Sequence, residues 1–192
     1  DVEKTAIDNA TTNAAVDQAK ANGTTEVNNV TPTPVAKPAA KQAIDDALKA
    51  KEDAIDANDD LTVEEKAKAK AEAKAKADAA KDAIDNATTN AEVNQAQSTG
   101  TTEVKAVNPD AVAKTAAKGA IDEALKAKTD EIDSRTDLTD EEKIVAKLDA
   151  KAKADAAKEA IDKATTDAEV NQAQSTGTIE LKAIDPQPVA KS

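Results

Sequence analysis

Asp56-Ala-Asn-Asp-Asp60 places four oxygen-bearing side chains in five positions. Such a cluster suits a hard cation such as calcium. The spacing of Asp56, Asn58 and Asp60 is that of the first three ligands of a helix–loop–helix calcium site. That site next needs Gly for a sharp turn and, later, a bidentate Glu. Leu61 and Ala67 stand in those two places. The second copy, Asp133-Ser-Arg-Thr-Asp137, is poorer still. A polar turn between helices is the better reading. Neighbouring carboxylates such as Glu141-Glu142 have the chemistry for general acid–base work. In the first turn of a helix, however, they complement the helix dipole. No catalytic, cofactor-binding or metal-binding residue is therefore assigned, no cofactor is expected, and any binding surface stays unassigned.

Composition narrows the chemistry further. The chain has 192 residues, a net charge of −12, and no Cys, His, Met, Trp, Tyr or Phe. Without His, no side chain titrates near neutrality at its ordinary pKa. Without Cys there is neither a thiol nucleophile nor a thiolate metal site. Without aromatics there is no ring on which to stack a base or a sugar. An acidic chain also repels nucleic-acid phosphates. No stretch approaches the roughly 20 apolar residues of a membrane span. Of the apolar residues 46 are Ala, and only 29 are Val, Ile or Leu. That scarcity of large aliphatics, with high net charge, is also the signature of a disordered acidic linker.

Order along the chain argues against disorder. AIDNATTNAAVDQAKANGTTEVNNVTP begins at Ala6, AIDNATTNAEVNQAQSTGTTEVKAVNP at Ala83 and AIDKATTDAEVNQAQSTGTIELKAIDP at Ala160, a period of 77 residues. Gly23, Gly100 and Gly177 keep register, as do Pro32, Pro109 and Pro186. A fixed period of this size means an array. It divides the chain into a partial repeat at 1–32, full repeats at 33–109 and 110–186, and the start of another at 187–192. The chain thus reads as a slice of a longer protein. Any signal peptide, anchor or specialised head is expected outside it.

Each repeat reads as three helices. From about Ala111 to Asp133, the residues Ala113, Ala117, Ile121, Leu125, Lys128 and Ile132 recur every three or four positions. The Lys128 stem is expected to lie along this stripe with its charge in water. Asn108-Pro109 or Asp110 is expected to start the helix, and Asp122 to pair with Lys126 four residues on. Thr139 and Glu142 form a capping box, as do Thr62 with Glu65, Thr89 with Glu92 and Thr166 with Glu169. Ala146, Ala150, Ala154, Ala157, Ile161 and Ala164 line the second helix, widened by Val145 and Leu148.

Lys66–Lys81 alternates Ala with charged residues at the period of a strand. Ala, Lys and Glu are nonetheless strong helix formers, and Ala and Lys poor strand formers. The pairs Glu64 with Lys68 and Glu72 with Lys76 support helix too. So does the stripe Ala69, Ala73, Ala77, Ala80, Ile84 and Ala87. The third helix, with Val93, Ala96, Gly100, Val104 and Val107 spaced three or four apart, is expected to continue through Gly100 to Val107; the alternative is a helix that ends at Gly100 and is followed by an extended tail. A mid-helix Gly costs about 1 kcal/mol, so the expected reason is close packing. The fold class that follows is all-α: tandem antiparallel three-helix bundles stacked end to end as an elongated rod.

LTDEEK from Leu138, AIDEALKAK from Ala120 and the long phrase from Ala160 to Pro186 resemble the domain-of-unknown-function 1542 repeat of Gram-positive cell-wall proteins. The resemblance covers nearly the whole chain, and the very Ala-rich Lys66–Lys81 helix departs from richer copies. It implies no enzymatic residues. It implies stalk repeats of a large surface adhesin, extracellular and attached to the cell wall through the parent protein. The expected partners are neighbouring repeats of the same chain and, through the parent, an extracellular-matrix protein. Nucleic acid is not expected as a partner, and the chain is expected to be a monomer. The alternative is a three-helix module that recognises a host matrix or plasma protein through one helix face.

Overall fold

The computed structural model describes residues 2–30 and 35–189. Pro32 of the repeat register and the closing 190–192 lie outside them. Eight helices follow in order: α1 (Val2–Asp8), α2 (Asn13–Asn28), α3 (Ala36–Asp56), α4 (Val63–Asn86), α5 (Asn90–Ala106), α6 (Val112–Ser134), α7 (Asp140–Lys163) and α8 (Asp167–Lys182). No strand occurs among the described residues. Lys66–Lys81 lies wholly inside α4, so helix propensity prevails over the alternating pattern.

The chain divides into two compact units, 1–38 and 39–192. In the first, α1 packs on α2. Gly23 permits the approach: a Cβ there would lie 2.9 Å from Glu3 Cβ. The pair has little interior, since α1 buries no residue and α2 buries only Ala19. Thr12 accepts a hydrogen bond from the Ala15 amide at 3.2 Å. Ala15 stands where later copies have Glu92 and Glu169, so this cap lacks its second half.

The second unit holds two three-helix bundles, α3–α4–α5 and α6–α7–α8. Four helices there begin at capping boxes, Thr62 with Glu65, Thr89 with Glu92, Thr139 with Glu142 and Thr166 with Glu169. Each box satisfies two otherwise orphaned amides. The α4 stripe Ala69, Ala73, Ala77, Ala80 and Ile84 is buried, as is its α7 counterpart Ala146, Ala150, Ala154, Ala157 and Ile161. Ile121, Val170, Leu181 and Ile184 complete the second core.

Both third helices run through their glycines, Gly100 in α5 and Gly177 in α8. The reason is steric. A Cβ on Gly100 would run into the Ala80 side chain, and one on Gly177 into that of Ala157. Ala seams and facing Gly draw the backbones together, at the expense of the apolar area that larger side chains would remove from water.

Helix pairing is marked on the surface by a ladder repeated at the same register. In the first bundle Lys41 pairs with Asp85, Lys70 with Asp56 at 2.6 Å, and Lys81 with Asp45 at 2.9 Å. In the second, Lys118 pairs with Asp162, Lys147 with Asp133 at 2.7 Å, and Lys158 with Asp122. Exposed pairs of this kind stabilise little, but all six join antiparallel neighbours in one alignment.

Three expectations need correction. Asp122 does not pair with Lys126. It reaches Lys158 on the adjacent helix, and Lys126 binds Asp130 at 2.6 Å. Val145 and Leu148 do not widen the α7 core stripe, because both are exposed. Val145 is one residue, about 100° of helix, from the buried Ala146. Third, the helix after Pro109 does not start at Asn108 or Asp110. It begins at Val112 after Ala111, which offers no side-chain cap.

Candidate functional site

The acidic clusters are engaged within the fold. Asp56 binds Lys70, Asn58 Oδ1 accepts from the Asp60 amide at 3.0 Å, and Asp133 binds Lys147. Asp137 accepts from both the Nε and an Nη of Arg135, at 2.7 and 2.6 Å. That guanidinium pulls the Asp137 carboxyl down to about 2. Among the described residues no cluster of acids has the grouping of a metal site. Glu142 closes its capping box by accepting from the Thr139 amide at 2.7 Å. An open groove lies beside Val145, Ile184, Pro186 and Val189.

Polar groups converge instead where the first bundle of the second unit ends and the next begins. Ala111 packs onto Ile55, Leu61 and Ala69. Glu65 Oε2 accepts from the Thr62 amide of its own capping box at 3.1 Å. Its Oε1 accepts from the amides of Val112 and Ala113, each at 2.9 Å. One carboxylate therefore caps α4 and, across the junction, the first turn of α6. Burial pushes the Glu65 carboxyl up. The amides of Ala113, Thr62 and Val112 outweigh burial and hold it below the usual Glu range. It is an ionised acceptor at neutral pH.

Lys114 fills the centre of the same junction. Its side chain is 4% exposed. The ammonium donates to the Asp59 carbonyl, just past α3, and to the Asp162 carbonyl in the last turn of α7, both at 2.7 Å. A cation at a helix C-terminus also meets the negative end of the dipole. Two further bonds cross nearby. The Val63 amide donates to the Thr165 carbonyl at 2.8 Å, and the Asp167 amide to Glu64 at 3.1 Å. Glu64 is thus used across the junction. No ion pair joins Glu64 to Lys68 or Glu72 to Lys76 among the described residues.

The far end of the second bundle repeats the motif. Glu142 Oε1 accepts from the Val189 amide at 2.7 Å, as Glu65 does from Val112. Lys128 also departs from expectation. It is buried, and its ammonium donates to the carbonyls of Ile184 at 3.0 Å and Lys182 at 3.2 Å and pairs with Glu131. Lys51 makes the equivalent bond to the Val107 carbonyl at 2.9 Å. Both lysines close the C-terminal end of a third helix.

With the two bundles and their junction laid out, the comparison with known families is specific. Domain of Unknown Function (DUF1542) matches residues 36–112 and 113–189. The chain belongs to this family.

The DUF1542 repeats here are similar to stretches of the Extracellular matrix-binding protein EbhA of Staphylococcus aureus strain Mu3, at 32% identity over 137 residues. That covers 71% of this chain and 2% of the relative. The Extracellular matrix-binding protein ebh of strain JH9 is also 32% identical, over 71% of this chain and 1% of its own length. EbhA of strain Newman is 30% identical over 71% of this chain and 4% of the relative. The chain thus spans a few hundredths of these relatives at most. No solved structure matches it. Among the described residues no helix is long and apolar enough to cross a membrane.

Sequence reasoning missed the junction pair. The signal for Lys114 was present in the period: Lys37, Lys114 and Lys191 share a register position, and Lys114 falls three residues before the core residue Ala117.

Proposed function

We propose that these DUF1542 repeats are structural: stalk or spacer units of a bacterial surface adhesin, which hold a distal binding region away from the cell wall. The carrying observation is the junction, where Glu65 and Lys114 join successive bundles by direct hydrogen bonds. The polar groups that converge there satisfy helix ends.

On this reading the folding units are 33–109 and 110–186, with 1–32 a partial unit and 187–192 opening another. The chain works as an extracellular monomer whose contacts are neighbouring repeats. It performs no catalysis and binds no nucleic acid. Cell-wall attachment and matrix binding belong to the parent protein. Deleting 110–186 shortens the parent's reach by about one bundle length, roughly 35–45 Å, and leaves the affinity of its distal binding region unchanged.

A second reading has its own support. The relatives are named for matrix binding, and Ile144, Val145 and Leu148 are exposed on α7 where the first bundle has Ala67, Lys68 and Ala71. On that reading the second bundle is itself a ligand-binding module. Surface plasmon resonance with immobilised fibronectin separates the two. The spacer gives no saturable micromolar response. A saturable response that Ile144→Ser with Leu148→Ser abolishes replaces the spacer with the binding module.

A further inference from the structure

We infer that Glu65 and Lys114 couple the two bundles of the second unit into one cooperative folding unit, so that neither opens alone. This stands whatever role the array serves. Each bundle is short of large core residues, and α6 has no side-chain cap of its own. The amides of Val112 and Ala113 both donate to Glu65, which Thr62 holds in place at the start of α4, and the Val112 amide is shared with the Asp110 carbonyl at 3.1 Å. Opening of the first bundle takes away both bonds at once.

Lys114 ties the bundles in the other direction. Its buried ammonium bonds one carbonyl from each, Asp59 and Asp162. Separation takes away the Asp59 acceptor, so the Lys114 ammonium keeps both its carbonyls only while both bundles are folded. The Val63 amide and the Glu64 carboxylate are likewise satisfied by Thr165 and Asp167 of the second bundle. Three helix starts, those of α4, α6 and α8, therefore have orphan groups met across the junction. In an array, such interface terms decide whether neighbours unfold together.

The bundles differ enough to reveal uncoupling. Buried Val104 and Val107 in the first correspond to Leu181 and Ile184 in the second, each larger by one methylene. Left to itself the first bundle is the weaker, by about tenfold or more in its opening constant.

Native-state hydrogen exchange of the full chain, read by mass spectrometry across a denaturant series, tests the coupling. In the unsubstituted chain, amides around Ala73 in α4 and Ala150 in α7 exchange with one denaturant dependence and within about threefold of each other. Thr89→Ala removes a capping hydroxyl inside the first bundle, far from Lys114 in sequence. With coupling intact it speeds both bundles together. Lys114→Met separates them, with α4 and α5 exchanging at least about tenfold faster than α7 and α8. Lys126→Met, an equal charge change at an exposed site, leaves exchange unchanged. The proposal is overturned by separate openings in the unsubstituted chain, by Thr89→Ala acting on the first bundle alone, or by Lys114→Met leaving the two together. Should Lys114→Met fail to fold, the Thr89→Ala result decides.

Discussion

Ile44 Cδ1 stands 2.9 Å from the point where a Cβ on Gly100 would lie, and Ile121 Cδ1 stands the same 2.9 Å from that point on Gly177. The same contact recurs one repeat apart, between a buried isoleucine of the first helix and a glycine of the third. Nothing within 4 Å meets a Cβ on Gly119, which sits mid-helix in α6.

The glycines therefore respond with opposite signs to one substitution. Gly119→Ala gains helix propensity without a clash and stabilises by about 0.5–1 kcal/mol. Gly100→Ala or Gly177→Ala makes the same gain but overpacks the seam at Ala80 or Ala157. The net change is destabilising by about 1–2 kcal/mol. Urea unfolding followed by far-UV circular dichroism measures both, and a stabilised Gly100→Ala would mean that the seam opens freely.

Lys128 behaves as an interior residue. Lys128→Met keeps the aliphatic stem and leaves the carbonyls of Ile184 and Lys182 without their donor, for a loss of about 1–3 kcal/mol. Lys126→Met, two residues away and exposed, stays within about 0.5 kcal/mol of the parent. Equal effects in denaturant titrations would show that the Lys128 ammonium reaches water.

Acid should loosen the caps. The amides of Thr88 and Thr165 lead the groups that hold Glu92 and Glu169 below the ordinary Glu range. Their folded pKa values lie below the unfolded ones. Their stabilisation is therefore complete above the ordinary range and is lost as pH falls through it to the folded values. Asp137, brought to about 2 by Arg135, follows the same sign at lower pH, between the ordinary Asp range and about 2. The thermal midpoint, recorded from about pH 6 down to about pH 2, should fall in this window. It should fall less in a Glu92→Gln, Glu169→Gln variant, and an unchanged slope would remove the caps from the account.

The α1–α2 pair should be the least protected part of the chain. Val27 is exposed and Val16 half-buried, whereas their register mates Val104 and Val93 are buried. Amide exchange around Val16 and Val27 should outpace that around Val93 and Val104 by at least about a hundredfold. Comparable rates would reveal packing that the buried area does not show.

Much of the fold was legible because its signals are local. The four capping boxes need only Thr and Glu three residues apart, and the Ala stripes need only helical period. Gly100 was readable as a packing residue because a Gly repeated mid-helix has no local purpose. What was not legible depends on a neighbour brought in by the fold. Asp122 has two lysines in reach, and the sequence shows only Lys126, whereas Lys158 arrives with α7. Val145 and Leu148 look like core residues by type and lie outside by angle. The candidate site was hidden most completely. Glu65 reads as half of a capping box, with no sign that its second oxygen serves a helix starting 47 residues later.

That shared carboxylate gives the array a direction. Glu65 belongs to the upstream bundle, and the helix that needs it lies downstream. A chain emerging from its N-terminus presents Glu65 before the α6 helix that borrows it. Threaded from the other end, α6 would appear before the carboxylate that caps its first turn.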